Sequence, residues 1–376
     1  MRRRLLMVAR SRYTLPLSPS LEQKFDALSA ELDIRVLASV GTGAKATDPR
    51  FRLVRSVRPG FLDGAAFYLL LPLRVARELR RFRPDAVLAQ GGQETALVLL
   101  GRTLARTRTR VVADVHGDPA AATRLYGSPL RKALSPLADV LAHRGLRRAD
   151  GVRTISGYTT GVVRSVGREP TATFAAFMDL EPFLAASPAP LPVRPTALFI
   201  GVLERYKAVD ILAEAWRLVA AQLPSAHLQI VGRGTLHDVP ARLVAELPEQ
   251  VRWTEALPTD EVVHALDAAS VLVLPSRSEG LGRVVVEAFC RGRGVVASRV
   301  GGIPDLVTDG KSGLLVAPGD AVALGDALVR VLSDRALAER LGAQGRASVE
   351  PWLATPEEYA RQIRELVEKV VGDAGA

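Results

Sequence analysis

Two doubly wound α/β domains in tandem are what this sequence predicts, and three observations carry the prediction. Short apolar runs alternate with helical patterns across residues 1–185, as in a parallel sheet covered on both faces. The same alternation restarts at Ala197, after a stretch too stiff and hydrogen-bond-poor to belong to either core, Ser187-Pro-Ala-Pro-Leu-Pro-Val-Arg-Pro195. Finally, 376 residues with 48% hydrophobic content can bury two cores. The expected division is a first domain at 1–185, a linker at 186–195, a second domain at 196–354 and a terminal helix at 355–376.

Taken in order, first-domain strands are predicted at Leu5–Ala9, Ile34–Ala38, Ala86–Ala89, Val111–Val115 and Gly151–Ser156. Runs this short and continuously apolar suit parallel strands buried on both faces. Helical patterns fall near Leu21–Leu32, Ala65–Arg83 and Glu94–Arg106. The second domain repeats the scheme, with strands at Ala197–Ile200, Leu228–Val231, Val271–Leu274, Val295–Ser298 and Gly313–Val316. Its helices are expected near Val209–Ala221, Thr259–Ala269 and Ala321–Leu332, and an amphipathic pattern from Tyr359 to Val371 closes the chain.

The arginine-rich start is followed by an apolar run of only Leu5 to Ala9, which reads as a first strand rather than a signal peptide. The longest apolar candidate, Phe61–Leu73, is broken by Asp63 and Pro72, short of the roughly 18 residues a membrane span needs. A single cysteine, Cys290, excludes an internal disulfide framework and fits a reducing compartment. The expected location is the cytoplasm.

The net charge of +10 is lopsided: residues 1–185 hold 30 Lys+Arg against 16 Asp+Glu, and the remainder 20 against 24. A basic half faces nucleic acid, an anionic membrane or an anionic substrate, unless it only reflects a chain rich in Ala and Arg throughout. Nucleic acid is disfavoured, because aromatics are 5% of the chain and no binding motif is present. The pattern Ala65–Arg83 sets Leu69, Leu70 and Leu73 beside Arg74, Arg77, Arg80, Arg81 and Arg83. Either this helix seats the protein on the inner face of the cell membrane as a peripheral protein, or the leucines face the core and the arginines are merely solvated.

Chemistry concentrates in Ser278-Glu-Gly-Leu-Gly-Arg-Val-Val-Val-Glu-Ala288, a glycine-bearing turn between strand Val271–Leu274 and a helix start. Gly280, Leu281 and Gly282 can bring backbone N–H groups close to an anion at the helix N-terminus. Glu279 and Glu287 would repel a phosphate, so they are expected to meet hydroxyls. A ligand with phosphates in the middle and hydroxyl-rich sugars at both ends is a nucleotide-diphospho-sugar. Six helical residues rise roughly 9 Å, so Glu287 can serve the ribose while Glu279 serves the donated sugar. The plainer reading leaves Glu279 as a charge complementing the helix dipole and Glu287 as a solvated helix residue. Lys207 and Arg205 follow strand Ala197–Ile200, at the strand end where doubly wound folds bind ligands, and are placed to neutralise the diphosphate. With no Asp-x-Asp pair and no Cys/His cluster of zinc spacing, neither a metal nor a cofactor is expected.

Glu-x7-Glu at 279–287, Lys207 and the ordered segments Gly232-Arg-Gly234, Gly301-Gly-Ile-Pro-Asp305 and Asp309-Gly-Lys-Ser-Gly-Leu-Leu-Val316 resemble retaining glycosyltransferases of family 4. The resemblance is strongest over Thr196–Leu332. It implies the GT-B fold, two Rossmann-like domains facing a cleft, with the terminal helix returning to the first domain. It also implies sugar transfer from a UDP- or GDP-sugar to an unidentified acceptor, such as a cell-envelope glycan or a lipid-linked molecule. Retention would come without an enzyme nucleophile, the departing diphosphate helping to deprotonate the acceptor. His116 matches the family histidine beside the transferred sugar, and Asp118 is a candidate for holding its ring or meeting the acceptor. The chain departs from the pattern at Val202, where the family has arginine, at Ala208 and Gly294, and in lacking the early Gly-Gly loop. A nucleotide-sugar 2-epimerase on the same fold and a non-catalytic binder of anionic surfaces are the alternatives.

Overall fold

The computed structural model describes residues 2–41, 43, 46–57, 63–118 and 135–372. The chain forms two compact units, Met1–Phe177 with Ala354–Ala376, and Met178–Leu353.

In the first unit the elements run β1 (Arg4–Tyr13), α1 (Pro19–Glu31), β2 (Asp33–Val40), β3 (Phe51–Val54), α2 (Asp63–Phe82), β4 (Ala86–Gln90), α3 (Gly92–Ala105), β5 (Arg110–Val115), α4 (Ser135–Arg148), β6 (Gly151–Thr154), α5 (Gly157–Ser165) and β7 (Ala172–Thr173). The seven strands pair in the order β3-β2-β1-β4-β5-β6-β7, all parallel. β6 stops at Thr154 instead of continuing to Ser156, because Ser156 caps α5: its hydroxyl accepts the Thr159 N–H at 3.2 Å. The closing helix, Pro356–Gly372, packs against α1 and buries Tyr359, Ala360, Ile363, Leu366, Val367 and Val370.

On α2 the apolar residues divide between two faces. Phe67, Leu71, Val75 and Leu79 enter the core, whereas Leu69 is 78% and Leu73 61% exposed, with Leu70 also exposed. The carboxylates of α2, Asp63 and Glu78, are buried while Arg77, Arg80 and Arg81 are exposed. The reading that turns these leucines into the core is therefore overturned.

The second unit runs α6 (Glu181–Leu184), β8 (Thr196–Ile200), α7 (Val209–Gln222), β9 (His227–Val231), α8 (Asp238–Glu246), β10 (Val251–Thr254), α9 (Thr259–Asp267), β11 (Val271–Leu274), α10 (Arg283–Cys290), β12 (Gly294–Ser298), α11 (Ile303–Leu306), β13 (Gly313–Val316), α12 (Ala321–Ser333) and α13 (Arg335–Ala347). Its six strands are again parallel, in the order β10-β9-β8-β11-β12-β13. The chain reverses direction across the sheet between β8 and β11, so their carboxyl ends border the crevice where such sheets take ligands.

The proline-rich stretch belongs to this second unit. Buried Arg291 donates to the carbonyls of Phe183, Ala186 and Ser187, Arg293 to that of Ala189, and Arg335 to those of Leu191 and Pro192. Prolines supply no N–H, but their neighbourhood still offers carbonyls, and these arginines use them. Residues 178–185, grouped by sequence with the first domain, join the second unit for the same reason: Met178, Leu180 and Phe183 are buried and α6 packs on α9 and α10.

Candidate functional site

Two loops meet at the switch point of the second sheet. After β8, residues 201–204 lead into a single 3-10 turn, Arg205–Lys207; after β11, residues 275–282 lead into α10. Arg277 staples them together. Its N–H donates to the Tyr206 carbonyl at 2.7 Å, and its guanidinium donates to the Arg205 carbonyl and, with two nitrogens, to Asp210 at 2.8 and 2.7 Å. Burial would raise the Asp210 carboxyl, yet the Arg277 hydrogen bonds and charge hold it below the usual range.

The staple brings together Lys207 and Glu279, whose side chains are only 13% and 10% exposed. The Lys207 ammonium donates to Glu279 Oε1, and the fully buried Ser276 hydroxyl donates to the same oxygen at 3.1 Å. Both contacts fall on Oε1, so Oε2 has no hydrogen-bond partner among the described residues. The sequence reading sent Lys207 to the phosphates and Glu279 to the sugar separately; the fold joins them as one pair. A lysine has three N–H donors, so the pairing with Glu279 leaves donors for a phosphate.

The carboxylate turn rests directly on Gly301 and Gly302. A Cβ at Gly301 would lie 1.8 Å from the Glu279 carbonyl oxygen, and one at Gly302 2.3 Å from that of Gly280. Gly282, at φ 86°, occupies the left-handed conformation that opens α10. Leu281 is buried, so like the glycines on either side it offers a ligand only its backbone. Glu287 lies on the buried side of α10, where it accepts from Arg283 Nε at 2.7 Å. Burial pushes its carboxyl up, against the pull of Arg283. Arg205 is exposed, and no side-chain partner is seen for it among the described residues. Arg233, which sequence reasoning passed over, stands exposed on the loop whose carbonyl at Arg233 accepts from the Leu203 N–H at 3.0 Å.

In the first unit His116 follows β5, at the carboxyl end of the strands. Its Nε2 lies 2.9 Å from Asp114 Oδ2, and Asp114 Oδ1 accepts from Arg153 at 2.7 Å. The residue seen to hold the ring at Nε2 is therefore Asp114. The Asp118 charge acts on Tyr158, whose phenol is pushed up by burial and, secondarily, by that charge. Neither Asp114 nor Arg153 was singled out in the sequence, since each sits inside a strand among apolar neighbours. Among the described residues no group of three or more His, Cys, Asp or Glu is placed to hold a metal ion, and no helix is long and apolar enough to cross a membrane.

Comparison with known proteins bears on the family and the fold. Residues 194–334 match the family described as glycosyl transferases group 1, and residues 19–173 match the glycosyl transferase 4-like domain. The chain is 34% identical over 210 residues to a D-inositol 3-phosphate glycosyltransferase of Frankia alni, covering 50% of this chain and 52% of that protein, so it spans about half the length of that relative. It is 30% identical over 281 residues to a GDP-mannose-dependent monoacylated alpha-(1-6)-phosphatidylinositol monomannoside mannosyltransferase of Corynebacterium glutamicum, covering 69% of this chain and 70% of that one. Among solved structures, sucrose-phosphate synthase from Thermosynechococcus elongatus superposes with TM-score 0.77 at 21% identity, covering 99% of this chain and 100% of that chain. Anabaena HepE in complex with UDP-glucose gives TM-score 0.67 at 18% identity, over 98% and 99%. Two Rossmann-like parallel-sheet units, both family matches and a relative covered over two thirds of its length make this chain a member of the glycosyl transferases group 1, the family 4 glycosyltransferases of GT-B fold.

Proposed function

We propose that this glycosyltransferase takes its sugar from a UDP- or GDP-sugar and passes it, with retention and without a metal, to an anionic or lipid-linked acceptor. The observation that carries the reading is the Lys207–Glu279 pair at the switch point of the second sheet, one turn from the N-terminus of α10. The diphosphate lies against the N–H groups of 280–284, the remaining donors of Lys207 and the exposed guanidinium of Arg205. Glu279 Oε2 accepts from a hydroxyl of the donated sugar, and Glu287 takes the ribose once Arg283 turns aside. The bond from the anomeric carbon to the diphosphate oxygen breaks, that oxygen accepts the proton of the acceptor hydroxyl, and the acceptor oxygen bonds the same face of the sugar. The relatives' names support the substrate class, since they specify inositol 3-phosphate and a phosphatidylinositol mannoside as acceptors.

The test is nucleotide release from UDP-, GDP- and ADP-sugars in EDTA, with and without phosphatidylinositol vesicles or inositol phosphate. Release that requires an acceptor is expected. An isomeric nucleotide-sugar formed without acceptor would instead mark an epimerase, and loss of turnover in EDTA restored by magnesium or manganese would overturn the metal-free chemistry.

The outward face of α2 fits an anionic membrane surface. Leu73 and Ala76 of α2 and Leu104 of α3 floor a groove edged by Arg77, Arg80 and Arg81, and Leu69, Leu70 and Leu100 extend the exposed apolar surface. Each basic residue close to such a surface contributes about 1 kcal/mol. The protein is expected to sediment with anionic vesicles at low salt and to be released as salt screens the arginines. Equal recovery with neutral vesicles would leave an enzyme that meets its acceptor away from the membrane.

A further inference from the structure

Asp114 and Arg153 are direct partners in the parallel register of β5 and β6, so the sheet itself pairs them. Arg153 is completely buried. Besides Asp114 it donates to the carbonyls of Phe174 and Ala175, at 3.1 and 2.8 Å, and its guanidinium lies 4.1 Å from the centre of the Phe174 ring and 5.5 Å from that of Tyr359 on the closing helix. These contacts prevent Arg153 from moving and thereby hold the carboxylate between Arg153 and the His116 ring. A carboxylate that already accepts from a guanidinium is an acceptor only, so the ring nitrogen facing it must carry the hydrogen.

We infer that Asp114, anchored by Arg153, is a positioning residue that fixes His116 with hydrogen on Nε2, so that the atom His116 offers to a substrate hydroxyl is the acceptor Nδ1. The inference rests on the transferase reading for its consequence in catalysis, though not for its geometry. Arg153 is essential to it. Facing a carboxylate alone, the ring would be the only group to balance the Asp114 charge. Arg153 already balances it, so the pair needs no charge from the ring. Tyr359, also beside this cluster, has its phenol pushed up by burial and so adds no negative charge to it. Burial would raise the Asp114 carboxyl, but the Arg153 charge and the hydrogen bonds from Arg153 and the His116 ring hold it well below the usual range, in keeping with an ionised acceptor.

The test reads the tautomer directly. Long-range 15N–1H spectra of the unaltered protein, with His116 assigned among five histidines by His116→Ala, should show hydrogen on Nε2 and none on Nδ1 near neutral pH. Hydrogen on Nδ1 would overturn the inference whatever the enzyme's activity. Asp114→Asn, whose amide can donate to the ring, should repopulate the other tautomer and lower kcat by roughly 10² with little change in donor KM, as expected when the ring is held in the wrong form. Combined with His116→Ala it should cost no more than His116→Ala alone. Full turnover in Asp114→Asn would also refute the inference. Should the asparagine variant fail to fold, the spectrum of the unaltered protein still decides. If the chain does not transfer sugar from any donor tested, the transferase reading fails while the spectrum still judges the positioning.

Discussion

Glu279→Gln should cut sugar transfer by about 10²–10³ while nucleotide binding survives, because a charge-assisted acceptor aimed at the transferred sugar counts most in the transition state. Glutamine keeps the shape of the side chain and can keep the contact with the Ser276 hydroxyl. It loses the charge, and with it the strength of the hydrogen bond that Oε2 offers the sugar. Lys207, freed from its partner, retains its positive charge for the diphosphate, so nucleotide affinity should hold or rise. Glu287→Gln is the matching control, expected to weaken nucleotide binding because its carboxylate is assigned to the ribose. Calorimetric titration with nucleoside diphosphate and initial rates with the full donor separate the two. Wild-type turnover in Glu279→Gln would remove Glu279 from the sugar.

Asp267→Ala is expected to destabilise the second unit by about 3–5 kcal/mol, the range for stranding a buried cation. Asp267 receives two bonds from Arg291, at 3.0 and 2.6 Å, and lies 3.7 Å from Arg293; both arginines are 2% exposed. Without the carboxylate, two guanidiniums remain in a dry site with only carbonyl dipoles to balance them. Urea unfolding followed by tryptophan fluorescence reports on this unit specifically, since Trp216, Trp253 and Trp352 all lie in it. A midpoint shift equivalent to less than about 1 kcal/mol would show that those dipoles suffice.

The central strands were readable because burial on both faces forces continuous apolar runs, as in Val271–Leu274. The sheet margins were not. β10 reads Val-Arg-Trp-Thr, polar on alternate residues as an edge strand permits, and β3 reads Phe-Arg-Leu-Val, a short run broken by an arginine; neither was anticipated. Helix α13 was hidden by Gly342 and Gly345, poor helix formers that are explained only by packing: a Cβ on Gly342 would lie 2.0 Å from the Gly292 carbonyl oxygen. At the site, Glu279, Lys207 and His116 stood out because they follow strand ends. What organises them did not. Asp114 with Arg153 and Arg277 with Asp210 are pairs made by sheet register and loop apposition across 39 and 67 residues, and no local spacing records such a pairing.

The arginine contacts to the proline-rich stretch also bear on how the chain could be divided. A fragment begun at the first strand of the second sheet would look complete by sequence, yet it would leave behind the carbonyls of Phe183 to Pro192 that Arg291, Arg293 and Arg335 hold. One begun at Met178 keeps them and α6 with its buried Phe183. Modularity in this protein thus starts some eighteen residues before the first strand of the sheet at Thr196, in a segment with almost no regular structure of its own.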